Sequence, residues 1–522
     1  MRSARLACVS LALLGVALVS SRASADVLGR ALAVADEQPG GTPPPPQSAD
    51  LTAWAGEARA TTLPDLLQLA VRQAPALQSA TLDIAIAEAR IQQSWARNDW
   101  LLQAQLRGFR ASIPVTTQAG VVIETETQIN GTADVSRVLP TGGTVALHAG
   151  TGYDNFSVDG AGDQTVWNAN VSGSITQPLL KGRGQALFDA NEARAKLARD
   201  ASVLARRLVA IQAIQAVISA YWDLVLAEQT VAITQQSLDL ARERLRVTQI
   251  GADGGKVPRS EIPAVLQIIA TRQEDVLNGE FGVLNSSIAL RRVAGLPIGA
   301  GELGLRVATD LETKDQELAL GTLVERAYAA SPELAQLAKQ DASATIDIEV
   351  TENGLLPQLD AALSLGPTST DPSFGTAWKN VAGFKTLAIN GTLTFSRSLG
   401  QNDVRGRARE QRELKRKLIV NAFDLRAQIA QTMTRAIAQL ELARRRVSLS
   451  QEAIRLANEN IKIETDRFNL GKSTNFDVLN RQEDLRQAEL RKTQALIDWH
   501  KAEVVVHALT GDLLPMYGIA VE

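Results

Sequence analysis

In this 522-residue chain the same order of helical and strand periods is given twice, once before and once after about residue 300, and that duplication restricts the possible folds more than any single motif. The stretch from Leu63 (LPDLLQLAVRQAPAL) is answered from Leu320 (LGTLVERAYAASPEL), with Leu66, Ala70, Pro75 and Leu77 falling on Leu323, Ala327, Pro332 and Leu334 at one spacing of 257. Further on, GSITQPLL from Gly173 is answered by GTLTFSRS from Gly391, Gly255-Lys256 by Gly471-Lys472, and Ala294-Gly295 by Thr510-Gly511. The two halves, 59–300 and 301–522, are therefore expected to interlock as one wall.

The first 25 residues carry Arg2 and Arg5, an apolar run from Leu6 to Val19, and Ala23-Ser24-Ala25. That is a signal peptide (1–25), so the mature chain is expected to start near Asp26, outside the cytoplasm. Cys8, the sole cysteine, has no leucine three places before it, which argues against a lipid anchor. Without cysteine, the mature chain has no disulfide and no thiolate metal site. Residues 26–58, with Pro43 to Pro46 inside TPPPPQS, read as a proline-rich linker. Removing Arg2, Arg5 and Arg22 takes the formal charge from -3 to -3 - 3 = -6, which gives no sign of nucleic-acid binding.

Two long helices are expected, over 186–250 and 402–470. In the second, Leu440, Val447, Ile454, Ile461 and Phe468 keep a seven-residue step, as a coiled-coil seam requires. Shorter helices over 61–99 and 259–293, and over 319–352 and 474–509, sum in each half to about the long one's length. Each half thus reads as a coiled-coil hairpin of one continuous and two stacked helices.

Strand periods rule out a simple rod. Trp167, Ala169, Val171 and Ile175 alternate with Asn168, Asn170, Ser172 and Ser174, and similar alternation recurs from Leu102, from Leu359 and from Leu387. No apolar run outside the signal approaches the ~18 residues of a membrane helix, so a membrane would be entered by strands with apolar side chains outward. Four strands cannot enclose a lumen and lipid forbids open edges, so oligomerisation is implied. A further hairpin, 129–138 and 145–156 around Pro140-Thr-Gly-Gly-Thr144, joins the barrel wall or forms a loop. The fold class expected is an α+β membrane protein, a duplicated repeat of long coiled-coil helices and strand pairs.

The duplicated order, the signal peptide, Gln177-Pro178-Leu179-Leu180 before a long helix, and the turn Gly471-Lys-Ser-Thr-Asn-Phe-Asp-Val-Leu479 together resemble the TolC-like outer membrane efflux family, over residues 60 to 511. The resemblance implies a homotrimer whose strands close one β-barrel in outer-membrane lipid, continued by an α-helical barrel in the periplasm. It implies docking through the tip turns onto a periplasmic adaptor (membrane fusion) protein and an inner-membrane transporter of RND, ABC or MFS type. The function implied is a passive exit duct of a tripartite efflux or type I secretion system. A non-transport scaffold or adhesin spanning the envelope is the alternative.

No cofactor is expected and an enzyme reading finds little to work with. His148, His500 and His507 lie outside any metal motif, and no acidic partner at ligand spacing is evident beside His500 and His507. Gly471-Lys472-Ser473 lacks the preceding glycine and strand of a phosphate loop. The tip turns are the better candidates. Gly471 can end one helix in a left-handed cap and Thr474 or Asn475 can start the next. By resemblance, Asp477 matches an aspartate of an acidic pore constriction, and Asn480 stands where a second ring aspartate belongs. Glu261 occupies Asp477's place in the first half, after a turn about five residues longer that holds Lys256, Pro258 and Ser260. Lys256, Ser260, Gly471, Lys472 and Ser473 are the expected adaptor contacts. A latching arginine of some relatives would fall on Ser473. Arg246 and Arg467 are expected to end the long helices, where they suit the dipole or the adaptor.

Overall fold

A computed structural model describes residues 59–117, 120–158, 162–255, 257–299, 304–307 and 319–519. The expected signal peptide, the linker and Lys256 lie outside the described residues. The first half runs β1 (Arg59–Thr61), α1 (Leu63–Gln73), α2 (Pro75–Ser94), β2 (Leu101–Thr117), β3 (Gly120–Val138), β4 (Thr144–Val158), β5 (Gly162–Pro178), α3 (Gln185–Asp253) and α4 (Glu261–Ala294). The second runs β6 (Leu305–Val307), α5 (Leu320–Ala330), α6 (Pro332–Asn353), β7 (Gln358–Asp371), α7 (Phe374–Ala382), β8 (Leu387–Ser396), α8 (Asn402–Asn469), α9 (Asn475–Thr510) and α10 (Leu513–Met516).

The expected helices 61–99 and 319–352 are each two helices, and the cause is the repeated proline. Ala74 (φ -60°, ψ 121°) and Ser331 (φ -66°, ψ 114°) are extended, because the ring of Pro75 or Pro332 pushes the preceding residue out of the helical region. Proline's missing N–H costs nothing at the first helical position, so α2 and α6 restart at once. The long helices α3 and α8, of 69 and 68 residues, each extend about 100 Å at 1.5 Å per residue. Between Leu440, Val447, Ile454 and Ile461 of α8 sit buried Ala443, Ser450 and Ala457, which completes the alternating three- and four-residue steps of a coiled-coil seam.

One stretch of α3 corrects the expectation about apolar runs. An 18-residue window there reaches a mean hydropathy of 1.5, enough by composition for a membrane helix, yet 56% of it is buried inside the protein. The burial is core packing at mid-height. Ile214, Val217, Ile218 and Leu224 of α3 meet Leu66 and Leu67 of α1, Leu290 of α4, Ile497 of α9 and Leu513 of α10. The second half repeats this with Ala327 of α5, Met433 of α8 and Val506 of α9. Since α9 supplies side chains to both clusters, the halves share a core, and parallel pairing of β1 with β6 adds a backbone link.

Among the described residues, six strands form one antiparallel sheet in the order β2-β3-β4-β5-β7-β8. The hairpin left open by the sequence is β3–β4. It stands between β2 and β5, so the sheet has six strands instead of the four expected.

Replacing Ile218, fully buried where α3 meets its neighbours, with alanine should cost about 2–5 kcal/mol. Thermal unfolding followed by circular dichroism, with a lowered midpoint and an unchanged native spectrum, checks this.

Candidate functional site

Successive side chains of a strand point to opposite faces, and here the two faces are chemically unlike. One carries Leu102 and Leu106, Val135, Leu147, Ile175, Leu365, Ile389 and Leu393, paired side by side across the sheet. Most of these side chains are exposed, Leu106 to 73% and Leu393 to 67%, and Val135 is half-buried. The other face is polar and internally bonded. His148 Nδ1 lies 2.6 Å from Asp134 Oδ1, Asn168 Nδ2 donates to Asp154 Oδ2 at 2.6 Å, and Thr370 Oγ1 donates to Asn168 Oδ1 at 2.8 Å.

Both ends of the apolar face are marked. At the helix end Arg137 stands over the Trp100 ring at 5.8 Å. At the far end Tyr153, Trp167 and Phe374 meet in series, tilted at 59° and edge-on at 74°, with centroids 4.9 and 5.0 Å apart. Beyond them the same face turns polar, with Arg110, Thr127, Asn155 and Thr165 paired across four strands. Ile175 and Trp167 are eight residues apart, or about 26 Å along the strand, close to the ~25 Å apolar band of a barrel in an outer membrane flanked by aromatic girdles. Helix α7 lies against the upper part of this face and buries Ala169 with its own Ala377 and Val381.

At the opposite pole are the two helix-to-helix turns. In the second, Gly471 (φ +74°) takes the left-handed conformation that stops α8. Gly471 N–H donates to Phe468 O at 2.9 Å and Lys472 N–H to Arg467 O at 2.8 Å, which satisfies two of the last carbonyls. Thr474 then caps α9 in a reciprocal box: Asp477 N–H donates to Thr474 Oγ1 (3.3 Å), while Thr474 N–H (3.1 Å) and Oγ1 (2.7 Å) donate to Asp477 Oδ2. Ser473 Oγ donates to Glu464 Oε1 at 2.5 Å and to Asp477 Oδ2 at 3.3 Å. Hydrogen bonds from the Thr474 side chain and then its backbone N–H hold the Asp477 carboxyl below the usual carboxylate range, outweighing slight desolvation, with help from Ser473 and the Arg467 charge. Asp477 is thus ionised at neutral pH, and Asn480, one turn on, is exposed.

The first turn differs from expectation in three ways. It spans 254–260 against 470–474 in the second half, so it is two residues longer rather than about five, because α3 continues to Asp253. For the same reason Arg246 stands two turns inside α3, bonded to Glu243 at 2.6 Å, and only Arg467 sits in a last turn, 3.7 Å from Glu464. Ser260 holds the capping place of α4 but has helical dihedrals (φ -65°, ψ -14°) and no side-chain cap bond. Glu261 is the first residue of α4 whereas Asp477 is the third of α9, so the two are not equivalent. Instead Glu261 Oε2 accepts a hydrogen bond from Asn475 Nδ2 at 2.5 Å, which ties the two tips together.

About three turns above that tie is a charged cluster the sequence reading missed. Arg486 of α9 forks onto Glu483 at 2.6 and 2.8 Å and reaches Asp275 of α4 at 4.0 Å, while Arg272 of α4 lies 3.9 Å from Glu483. Arg272 is 5% exposed, and its Nε and Nη1 have no hydrogen-bond partner among the described residues. Burial lowers its pKa against the pull of Glu483. Burial works to raise Glu483, but hydrogen bonds from Arg486 and Gln487 bring it below its ordinary value. The signal in sequence was the Arg272/Asp275 and Glu483/Arg486 spacing of three on two helices, visible only once the helices are known to be neighbours.

His500 and His507 also differ from expectation. Glu503 lies between them, 3.8 Å from His500 Nδ1 and 3.9 Å from His507 Nε2, so an acidic partner is present. Yet the His500 ring stacks on Trp222 at 4.0 Å and 5°, a packing role, and among the described residues no cluster of His, Cys, Asp or Glu has the arrangement of a metal site.

Residues 323–512 match the profile of the family described as Outer membrane efflux protein. No curated protein matches the chain in sequence. In solved structures, the chain is similar to the CmeC outer membrane channel of Campylobacter jejuni, at 13% identity over 91% of this chain and 94% of that one, with a TM-score of 0.64. It is similar also to the outer membrane protein VceC of Vibrio cholerae (12%, 86% and 96%, TM-score 0.63) and to the open state of the MtrE outer membrane channel of Neisseria gonorrhoeae (15%, 91% and 96%, TM-score 0.61). At such identities the likeness is one of fold.

A Cβ added at Gly471 would meet open space, so Gly471→Ala should cost only the left-handed strain, about 1–2 kcal/mol. Hydrogen exchange should report it as faster exchange in the last turn of α8 and the first of α9, with the mid-height core unchanged.

Proposed function

Because residues 323–512 match the outer membrane efflux protein family and the fold is that of outer-membrane channels, we propose that the chain is the outer-membrane exit duct of a tripartite efflux or type I secretion system. In this reading three copies close one β-barrel in the outer membrane, and their long helices continue it as a tunnel into the periplasm. The observation that supports it best is the sheet, whose apolar face has membrane height, whose other face is polar and internally hydrogen-bonded, and whose outer strands, among the described residues, lack partners on one side. A passive duct uses no catalytic group. Energy would come from an inner-membrane transporter through a periplasmic adaptor seated on the tips, with Lys256, Ser260, Gly471, Lys472 and Ser473 as the proposed contacts.

Three symmetry copies of ionised Asp477 would concentrate negative potential on the axis and favour cations, with Asn480 and Glu261 nearby. Opening would be an iris-like shift of α9 against α4. Asn475–Glu261 and Arg486–Asp275 hold that seam, but one of its contacts suits parting. Arg272 is buried with Nε and Nη1 unbonded among the described residues and a partner at 3.9 Å, and such a charge contributes little net stability to the arrangement.

Purified protein in planar bilayers should conduct and prefer cations. Asp477→Asn, which removes the charge but keeps an acceptor for the cap, should weaken that preference, and unchanged selectivity would count against the ring. Glu483→Ala removes the nearest carboxylate from Arg272 and should raise conductance several-fold. A protein that never conducts under any condition would contradict the duct itself.

A further inference from the structure

The two unpartnered strands of the sheet identify the surface through which copies join, and the β3–β4 hairpin sets the size of what they enclose. This inference rests on the exit-duct reading. Among the described residues, β2 and β8 each have a hydrogen-bonded neighbour on one side only. Both are exposed on both faces, whereas β3, β4 and β5 are mostly half-buried. In lipid the free edge of either strand would leave a row of unsatisfied N–H and C=O groups at several kcal/mol apiece. Their geometry fits a second copy. β2 leads away from the helices and β8 leads back to them, so β8 of one chain beside β2 of the next is antiparallel, like every other pair in the sheet. The apolar residues of β8, such as Ile389 and Leu393, then continue the face that begins with Leu102 and Leu106.

The hairpin is wall throughout. β3 pairs with β2 from Leu101↔Ser136 to Thr117↔Gly120, and β4 pairs with β5 from Thr144↔Thr176 to Val158↔Gly162. Its turn is clamped to the strand-to-helix bend. Thr141 Oγ1 donates to Gln177 Oε1 at 2.7 Å, Gln177 Nε2 donates to Thr141 O at 3.1 Å, and Gly184 N–H donates to Thr141 O at 3.1 Å. At Gly142 (φ +86°) an added Cβ would come within 2.1 Å of Gly182 O. The repeat spacing agrees. It drops from 257 at Pro75/Pro332 to 218 at Gly173/Gly391, a loss of 39, and Gly120 to Val158 is 39 residues.

We propose that three chains close through β8–β2 seams into one barrel of eighteen strands, six from each chain, in which the hairpin widens the lumen. Barrel diameter grows roughly linearly with strand number, so the wall should be about 1.5-fold wider than twelve strands would make it.

Cysteine crosslinking tests this in the full-length protein, whose one native cysteine lies in the expected signal peptide. Asn390→Cys in β8 should form disulfide-linked oligomers with at least one of Gln103→Cys, Gln105→Cys or Arg107→Cys in β2. Gln105→Cys with Ser172→Cys of β5 should not link, and should do so only when residues 120–158 are deleted. Electron microscopy down the barrel axis should show a diameter about 1.5-fold that of the deletion variant. Failure of β8 to link with β2 across the series, β2–β5 linkage in the full-length chain, or equal diameters would overturn the proposal. Crosslinking does not depend on conduction, so a barrel that links as expected but passes no current would count against the duct reading alone.

Discussion

A hydrocarbon layer offers no hydrogen-bond partner, so every backbone group inside it must be satisfied by the protein. The rest of this architecture follows from that constraint. A helix satisfies itself, but a sheet does so only when closed. In lipid, a chain that presents an apolar sheet face about 26 Å tall along the strand and, among its described residues, leaves β2 and β8 open would be incomplete alone. In the proposed reading the same constraint accounts for the division of labour along the chain, with strands between aromatic-marked limits in lipid and long helices in the watery space below. The soluble part has its own requirement: coiled-coil hairpins of about 100 Å bury little per residue, and the shared mid-height core around α3 and α9 holds the halves in register.

Much of this was legible because the repeat constrains backbone chemistry as well as composition. Pro75 and Pro332 mark the same helix break, Gly471 and Thr474 mark a stop and a start, and alternation around Trp167 and Leu393 marks the two sheet faces. The seven-residue step in α8 gave half of its seam. The small residues between, Ala443, Ser450 and Ala457, are weak signals by themselves and become meaningful only when a neighbouring helix covers them.

What stayed illegible depended on contacts between distant segments. Whether 129–156 joined the sheet could not be read from its own alternation, since a soluble hairpin alternates too; its pairing with β2 on one side and β5 on the other decided it. The buried Arg272, Glu483 and Arg486 cluster pairs residues over 200 positions apart. The apolar stretch of α3 looked unremarkable as sequence because its polar residues interrupt it, yet folded it is the hydrophobic centre of the molecule. Asp477 shows the opposite case. The pore charge proposed there comes from resemblance, and the fold adds that the carboxylate is already engaged with Thr474 and Ser473, so helix capping and the proposed pore charge share one side chain.

The central claim is that one face of the sheet meets lipid and the other meets water. Spin labels at Leu365 and Ser364, adjacent in β7 and on opposite faces, test it most directly in protein reconstituted into liposomes. The account expects the label at 365 to be relaxed by oxygen dissolved in the bilayer and the label at 364 by a water-soluble nickel complex. Equal access of both labels to the aqueous relaxer would contradict it.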